Sequence, residues 1–252
     1  MIDLHSHLLP GVDDGSRSVE QSVEVLRAFE AAGITDVALT PHFTASHLSE
    51  GVPASHDSAF RALVRAAPKL PRLHRGAEVM LDRPLPALTD PYRFTLGGGR
   101  WILVEFPRLV TGDAATNALR SVVDGGLLPL LAHPERYAPC TPALAERWVN
   151  VGAALQVDAT TALAPTRRGE RARQLLQYGL ATIVAADNHG DERSVATFRN
   201  ALDEQGEGAA AELLTVINPG ALLSNRSPEQ VPPLMLKLSL KDRFRRLWAG
   251  SE

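Results

Sequence analysis

The chain has 252 residues, of which 44% are hydrophobic and 22% are charged, and its formal net charge is −3 at pH 7. This length fits one large α/β domain, and the near balance of charge excludes a general electrostatic attraction to nucleic acid. The single cysteine, Cys140, excludes an intrachain disulfide. The first residues lack a signal-peptide pattern and no long apolar run is present, so we expect a cytoplasmic protein that does not span a membrane.

Short apolar runs alternate with amphipathic segments along most of the chain. Ser18 and Gln21 form a capping-box pattern that predicts the start of the first helix. The predicted strands are 2–5, 35–41, 72–80, 100–106, 127–134, 153–159 and 180–190; the predicted helices are 19–33, 56–67, 115–126, 144–152, 167–179 and 192–204; and 43–56 is predicted as a loop. The strand runs are uniformly apolar, which is typical of parallel strands covered on both faces. We therefore predict one α/β domain with a parallel sheet, open or closed into a barrel.

The last stretch of the chain, residues 236–250, follows Pro232 and Pro233 and predicts a separate basic amphipathic helix. Its apolar side chains fall on one helical face, and its basic side chains are Lys237, Lys241, Arg243, Arg245 and Arg246. Such a helix binds a membrane surface or an acidic partner, or else packs on its own domain with solvated charges.

Metal-binding side chains occur at the downstream ends of the predicted strands. In parallel α/β folds, the carboxyl ends of the strands form the edge where ligands bind. Nine histidines and acids at or just after these ends are candidate metal ligands: His5, His7, Asp14, His42, Glu78, Glu105, His133, Asp187 and His189. From spacing alone, Asp13 is an equal alternative to Asp14. This concentration at the strand ends predicts a metal centre.

The spacing and chemistry of these residues indicate which metals they suit. Residues i and i+2 of an extended segment point the same way, so His5 and His7 can bind one ion, as can Asp187 and His189. Imidazole and carboxylate together suit manganese, iron or zinc. Nine ligands exceed the needs of one ion, which predicts two or three ions that share a bridging carboxylate.

Several motifs together resemble a known superfamily of phosphatases and polymerase domains. HSHLLPGVDDG, TPH, GAE, ILVEFP, LAHPERY and the Asp-x-His of VAADNHG resemble the polymerase-and-histidinol-phosphatase superfamily, and most closely its bacterial capsule-type tyrosine-protein phosphatases. The resemblance implies a distorted seven-stranded (β/α) barrel of the TIM type over residues 1–235, followed by the C-terminal helix or tail over 236–252. It also implies three divalent ions, manganese first, with iron or zinc as alternatives.

The resemblance further divides the nine ligands among three ions. The implied sets are His5, His7, Glu78 and Asp187 for the first ion; Glu78, Glu105 and His133 for the second; and Asp14, His42 and His189 for the third. Arg136 of HPERY follows His133 by three residues, so its guanidinium is expected to clamp the phosphate, the alternative being a salt bridge with an acid at the rim. The second arginine of the family pattern falls here on Ser194, with Arg193 one position earlier.

The resemblance implies hydrolysis of protein phosphotyrosine by a metal-activated water, on a membrane-associated tyrosine kinase or on enzymes of capsule and exopolysaccharide synthesis. A thiol mechanism is excluded, since a cysteine phosphatase needs an arginine six residues after its cysteine and Cys140 has Glu146 there. The first alternative is a phosphatase for a small phosphomonoester such as histidinol phosphate. The second is a non-catalytic, metal-stabilised scaffold that binds phosphoproteins. The oligomeric state has no signal in the sequence.

Overall fold

The computed structural model describes residues 1–238, which form nine short strands and nine α-helices. The strands are β1 (Ile2–Asp3), β2 (Asp36–Leu39), β3 (His42–Thr44), β4 (Arg72–Arg75), β5 (Glu78–Met80), β6 (Trp101–Glu105), β7 (Leu128–Ala132), β8 (Ala154–Asp158) and β9 (Ile183–Ala185). The helices are α1 (Val19–Ala31), α2 (Ala54–Ala66), α3 (Gly112–Asp124), α4 (Pro142–Asn150), α5 (Ala159–Leu163), α6 (Arg167–Gln177), α7 (Val195–Asp203), α8 (Gly208–Glu212) and α9 (Asn218–Leu223).

Every strand pair is parallel, which confirms the α/β class predicted from the alternating pattern. Three strands form one sheet in the order β1-β2-β4, and six form a second in the order β3-β5-β6-β7-β8-β9. A single bridge between Ser6 and Asn188 connects the segment after β1 to the segment after β9. The strand pairing in residues 1–238 therefore gives two parallel sheets and does not close into one barrel.

The extra strands arise where predicted single elements are divided. The predicted strand 72–80 is broken into β4 and β5, which belong to different sheets. Gly76 lies at the break, where a Cβ would approach the side chains of Leu96 and Thr40 at 3.0 and 3.1 Å. The prediction of a loop over 43–56 is wrong in part, because β3, a short 3-10 helix (Ala45–Glu50) and the start of α2 lie within it.

Both faces of the larger sheet are buried, which explains the uniformly apolar strand runs. In β6, Trp101 and Leu103 pack in a small cluster on one face, while Ile102 and Val104 join the main core on the other. The helices cover the main core with one apolar face each. In α1 the Ser18 side chain accepts a hydrogen bond from the backbone N–H of Gln21, as the capping pattern predicts.

The described chain ends in an extended segment that lies against the core. Val231, Leu234 and Leu236 are buried there, and residues 236–238 are not helical. The remainder of the predicted C-terminal helix lies outside the described residues. Within residues 1–238, none of the helices has the length and apolar character needed to cross a membrane.

Candidate metal centre

All nine candidate ligands come together at the carboxyl ends of the strands. They fall into four overlapping groups, and within each group the ligand atoms lie within 4.8 Å of one another. The groups are His7, Asp14, His42 and His189; His5, His7 and Asp187; His5, Glu78 and His133; and His42, Glu78 and Glu105. We refer to the nine side chains together as the candidate metal centre.

His5 and His7 both direct their Nε2 atoms to the middle of this centre. His5 donates from Nδ1 to Oε1 of Gln156 at 2.9 Å, and His7 donates from Nδ1 to Oδ2 of Asp13 at 2.8 Å. These partners fix a proton on Nδ1 of each ring, so each Nε2 presents a lone pair when the ring is neutral. The two Nε2 atoms are only 3.1 Å apart. Facing lone pairs at this distance repel unless a cation lies between them.

Two buried carboxylates complete the inner part of the centre. Oε2 of Glu78 lies 3.3 Å from Nε2 of both His5 and His7, and Oδ1 of Asp187 lies 3.2 and 3.4 Å from the same atoms. The other oxygen of Glu78 faces Nε2 of His133 at 2.9 Å. Nδ1 of His42 also lies 3.0 Å from Oε2 of Glu78, yet among residues 1–238 this buried oxygen forms no hydrogen bond of good geometry. A buried carboxylate oxygen with three imidazole nitrogens around it fits a bridging metal ligand.

Without a cation, these groups compete for protons. Burial lowers the pKa of His5, but the charges of Glu78 and Asp187 outweigh it and raise that pKa to about 9. Burial and the charge of Glu78 raise the pKa of Glu105 to about 7. Burial opposes ionisation of Glu78 as well, yet the surrounding imidazoles hold its pKa well below the usual range. The carboxylates of the centre are therefore neutralised by protons on the neighbouring imidazoles and on Glu105 when metal is absent.

A pH dependence of metal stabilisation follows from these shifts. The pKa of His5 is higher in the folded, metal-free protein than in the unfolded chain, where it is near 6.5. Protonation of His5 therefore stabilises the metal-free fold fully below pH 6.5, and this contribution is lost as the pH rises through about 9. Glu105 acts in the same sense as the pH rises through about 7. We expect the rise in Tm caused by Mn²⁺ to grow by several degrees between pH 6.5 and 9, measured by thermal scans with metal and with chelator. A constant or shrinking difference would contradict it.

The outer part of the centre lies at the protein surface. Its geometry distinguishes Asp13 from Asp14 as the candidate ligand. Oδ1 of Asp14 lies 3.4 Å from Nε2 of His42 and 3.6 Å from Nε2 of His189, and its side chain is 70% exposed. Asp13 instead uses Oδ2 to accept from Nδ1 of His7 and from the backbone N–H of His42. The geometry therefore favours Asp14 as the ligand, with Asp13 orienting His7.

The turn that carries these aspartates is packed closely against His7. The backbone N–H of Ser16 donates to the carbonyl of His7 at 2.8 Å. A Cβ on Gly15 would lie 2.0 Å from that carbonyl oxygen and 2.4 Å from the His7 Cβ. Only glycine fits here, and the close approach holds both aspartates over the histidine pair.

Two arginines contact the same carboxylate on one side of the centre. Nη2 of Arg136 donates to Oδ2 of Asp187, and Nη1 of Arg193 lies 3.7 Å from that oxygen. The side chains of Arg136 and Arg193 are 34% and 27% exposed, so both also face solvent. Arg193 thus occupies a place beside Arg136 although its sequence position differs from the family pattern.

The backbone is strained at two of the candidate ligands. His133 and Asp187 have φ values of 33° and 51°, and Asn225 is the only other non-glycine residue with positive φ among residues 1–238. Side-chain-bearing residues avoid this region, and such strain concentrates at functional sites. At His133 it starts the 3-10 turn Pro134–Arg136, which returns Arg136 toward Asp187.

Sequence reasoning missed the buried residues that support the ligands. Gln156 lies in the middle of β8 and fixes His5. Asp3 accepts from the backbone N–H groups of His5 and Ala186, and burial raises its pKa to about 7. In the sequence, Gln156 and Asp3 are each marked only as a polar residue within an apolar strand run. Asp158, at the end of β8, caps α5 by accepting a hydrogen bond from the backbone N–H of Thr161.

Cys140 lies away from this chemistry, and we expect its replacement to be nearly silent. The side chain is 3% exposed, and burial with the nearby charge of Glu135 raises its pKa to about 12, so no thiolate forms near neutral pH. The Cys140→Ser variant should keep its kcat within about twofold and lose about 1–2 kcal/mol of stability, because a hydroxyl is buried. Steady-state kinetics and denaturant unfolding test this, and an inactive but folded variant would contradict a thiol-free mechanism.

Comparisons with known proteins place the chain in a family. The model of the family "Capsular polysaccharide synthesis, CpsB/CapC" matches residues 1–224. Tyrosine-protein phosphatase YwqE from Bacillus subtilis is 27% identical over 94% of this chain and 97% of its own, and tyrosine-protein phosphatase CpsB from Streptococcus pneumoniae is 26% identical over 90% and 99%.

The fold of this chain is similar to that of a solved structure. It comes from work on YwqE and CpsB, described as unique metal-dependent tyrosine phosphatases, and superposes with a TM-score of 0.74 at 24% identity. The superposition covers 94% of this chain and 100% of the other, and at this identity it shows a shared fold. The resemblance drawn from the motifs is confirmed: this chain belongs to the CpsB/CapC family of capsular polysaccharide synthesis.

Proposed function

We propose that this protein is a metal-dependent phosphatase that hydrolyses phosphotyrosine in proteins. The observation that supports this most is the convergence of nine nitrogen and oxygen ligands and two arginines at one site. The curated relatives are named tyrosine-protein phosphatases, and the similar solved structure is described as metal-dependent. A neutralised cluster of this size beside guanidinium groups suits the phosphate dianion.

We assign the donors to three divalent cations, with Mn²⁺ as the preferred ion. The inner set is His5, His7, Glu78 and Asp187; the second is Glu78, Glu105 and His133; and the outer set is Asp14, His42 and His189. The buried Oε2 of Glu78, with imidazole nitrogens of His5, His7 and His42 at 3.0–3.3 Å, and the facing Nε2 atoms of the histidine pair support this fit. When bound, such cations supply Lewis acidity, which lowers the pKa of coordinated water and neutralises phosphate charge.

Arg136 binds the phosphate of the substrate in this proposal, with Arg193 beside it. A guanidinium offers several N–H donors in one plane, which matches two oxygens of a phosphate. Contact with Asp187 holds Arg136 at the edge of the centre, and its partial exposure leaves donors for a ligand. Arg193 is additionally held by Asp191, with Nη2 to Oδ2 at 2.7 Å.

The leaving group suits a site without a cysteine nucleophile. A tyrosine phenol has a pKa near 10, so it leaves as phenolate more readily than the alkoxide of serine does. We propose a tyrosine kinase or an enzyme of capsule or exopolysaccharide synthesis as the substrate, supported by the family description. We also infer that the two sheets approximate a distorted barrel, which the bridge between Ser6 and Asn188 supports.

One assay series tests the proposed function. Purified protein with Mn²⁺ is offered a phosphotyrosine peptide, the matching phosphoserine peptide and histidinol phosphate, before and after complete chelation. We expect turnover of the phosphotyrosine peptide to dominate, to disappear on chelation and to return with added Mn²⁺. Activity that survives metal removal would overturn the mechanism. A preference for histidinol phosphate would overturn the substrate class and leave the metal centre in place.

A further inference from the structure

A group of arginines lies beside the candidate metal centre at the start of α6. We define the arginine cluster as Arg167, Arg168 and Arg171, of which the first two are exposed and the third is partly buried. These side chains line a cavity of about 520 Å³ together with three hydroxyl side chains, Thr160, Thr161 and Thr166. The cavity thus offers guanidinium and hydroxyl donors and, among its lining residues, no acidic side chain.

A hydrogen bond links this cluster to the turn that carries the arginine proposed to bind phosphate. Nε of Arg171 donates to the backbone carbonyl of Glu135 at 2.8 Å, and Glu135 immediately precedes Arg136. Residues three and four apart on a helix share a face, so Arg167 and Arg168 lie beside Arg171. The helix rises about 6 Å over those four residues, which puts the cluster roughly 10–15 Å from Arg136. An extended peptide covers this distance in about three to five residues.

The two exposed arginines are left without acidic partners. Among residues 1–238, neither Arg167 nor Arg168 forms an ion pair with a carboxylate. Arg61 and Arg65 of α2 also have no ion pair among the described residues, but Arg167 and Arg168 differ from them in lining a cavity with Arg171, which is bonded to Glu135. The two guanidinium groups form a local positive surface, although the net charge of the whole chain is −3.

The backbone beneath the cluster is rigidly held. Nη1 of Arg173 donates to the carbonyls of Ala162 and Ala164, both at 2.8 Å, and so joins α6 to the end of α5. A Cβ on Gly169 would lie 2.0 Å from the Ala164 carbonyl oxygen, which shows how closely the two helices approach. The exposed arginines therefore project from a fixed platform.

We infer that the arginine cluster binds acidic side chains that flank the phosphotyrosine of the substrate. This inference rests on the proposed phosphatase function and narrows the substrate class to acidic phosphotyrosine polypeptides. Carboxylates match the planar guanidinium fork, and their spacing from the phosphotyrosine fits the reach of a bound peptide. Complementary charge at the rim of a binding site adds specificity and speeds association.

Three peptides that differ only in charge test the inference. Each carries one phosphotyrosine, with glutamate, alanine or lysine at positions two to five on both sides. For the parent protein with Mn²⁺, we expect kcat/KM to be about fivefold higher for the glutamate peptide than for the alanine peptide, and lowest for the lysine peptide. The difference should lie mainly in KM and shrink as ionic strength rises.

Paired charge-removing variants locate the effect. Arg167→Gln combined with Arg168→Gln should remove the preference for glutamate while leaving turnover of p-nitrophenyl phosphate and of the alanine peptide unchanged. The matched control combines Arg61→Gln with Arg65→Gln, two exposed arginines of α2, and removes the same net charge. This control should retain the full preference.

The outcomes separate this inference from the proposed function. Equal kcat/KM for the three peptides with the parent protein, or equal losses in both double variants, would overturn the inference while phosphatase activity stands. Fluorescence anisotropy of the same peptides provides a readout without turnover. If no phosphoester is hydrolysed but the glutamate peptide binds in a manner that depends on Arg167 and Arg168, the proposed function fails and the acidic-ligand site stands.

Discussion

The His5→Ala variant should turn over phosphotyrosine peptides about a thousandfold more slowly than the parent protein. His5 presents Nε2 to Glu78, Asp187 and His7, each within 3.3 Å. Without His5, the buried carboxylates Glu78 and Asp187 lose a neighbouring imidazole, and the inner metal set loses one of its four ligands. Metal catalysis contributes several kcal/mol, and a loss of about 4 kcal/mol corresponds to that factor. Asp187→Ala should have an effect of the same order.

Saturating kinetics and metal content measured on the same sample test this prediction. We expect the His5→Ala protein to bind less Mn²⁺ and to retain a native circular dichroism spectrum in excess metal. His47→Ala is the matched control, since His47 is exposed in the 3-10 helix after β3 and, among residues 1–238, its side chain forms hydrogen bonds only with Thr44 and Ser46. It should keep its kcat within about twofold. An active, metal-replete His5→Ala enzyme would exclude His5 as a ligand.

The Gly15→Ala variant should lose about a hundredfold in kcat although it changes no candidate ligand. A Cβ at this position would lie 2.0 Å from the His7 carbonyl oxygen, so the turn that carries Asp13 and Asp14 must move. That movement breaks the hydrogen bond that orients His7 and draws Asp14 away from His42 and His189. Misplacing such supporting groups costs about 10–100-fold in metal affinity or activity.

The test compares two glycine substitutions in one protein. At Gly208, in the first turn of α8, the nearest atom to an added Cβ is 3.4 Å away, so Gly208→Ala should be tolerated. Mn²⁺ titrations followed by activity should show weaker binding for Gly15→Ala alone. If both variants behave like the parent protein, the turn is not needed to hold the aspartates.

The candidate site was largely predictable because most of its residues lie at the carboxyl ends of parallel strands. A parallel strand delivers whatever follows it to one edge of the sheet, so side chains from residue 5 to residue 189 can be grouped without knowing any distance. All nine expected residues do meet there. The choice between Asp13 and Asp14 was not predictable from spacing, because it depends on how the turn at Gly15 packs against His7.

Other features depend on three-dimensional packing that leaves no local signal. Gln156 fixes the His5 tautomer from inside β8, yet in the sequence it is one polar residue within an apolar run. The division of 72–80 into β4 and β5 likewise occurs at Gly76, which packs closely against Leu96 and Thr40. This division shifts Glu78 into the larger sheet, next to β3 and β6.

The bridge between Ser6 and Asn188 has a consequence for how the chain folds. It joins segments that are far apart in the sequence, and the contact between Asp3 and the Ala186 N–H spans 183 positions. Contacts of such high sequence separation form slowly, because a very long loop must close before they contribute. During synthesis, His5 and His7 emerge from the ribosome long before Asp187 and His189. We therefore expect the inner ligand set, which needs Asp187, to be completed late, although a nascent fragment that ends before residue 187 already contains Glu78, Glu105 and His133.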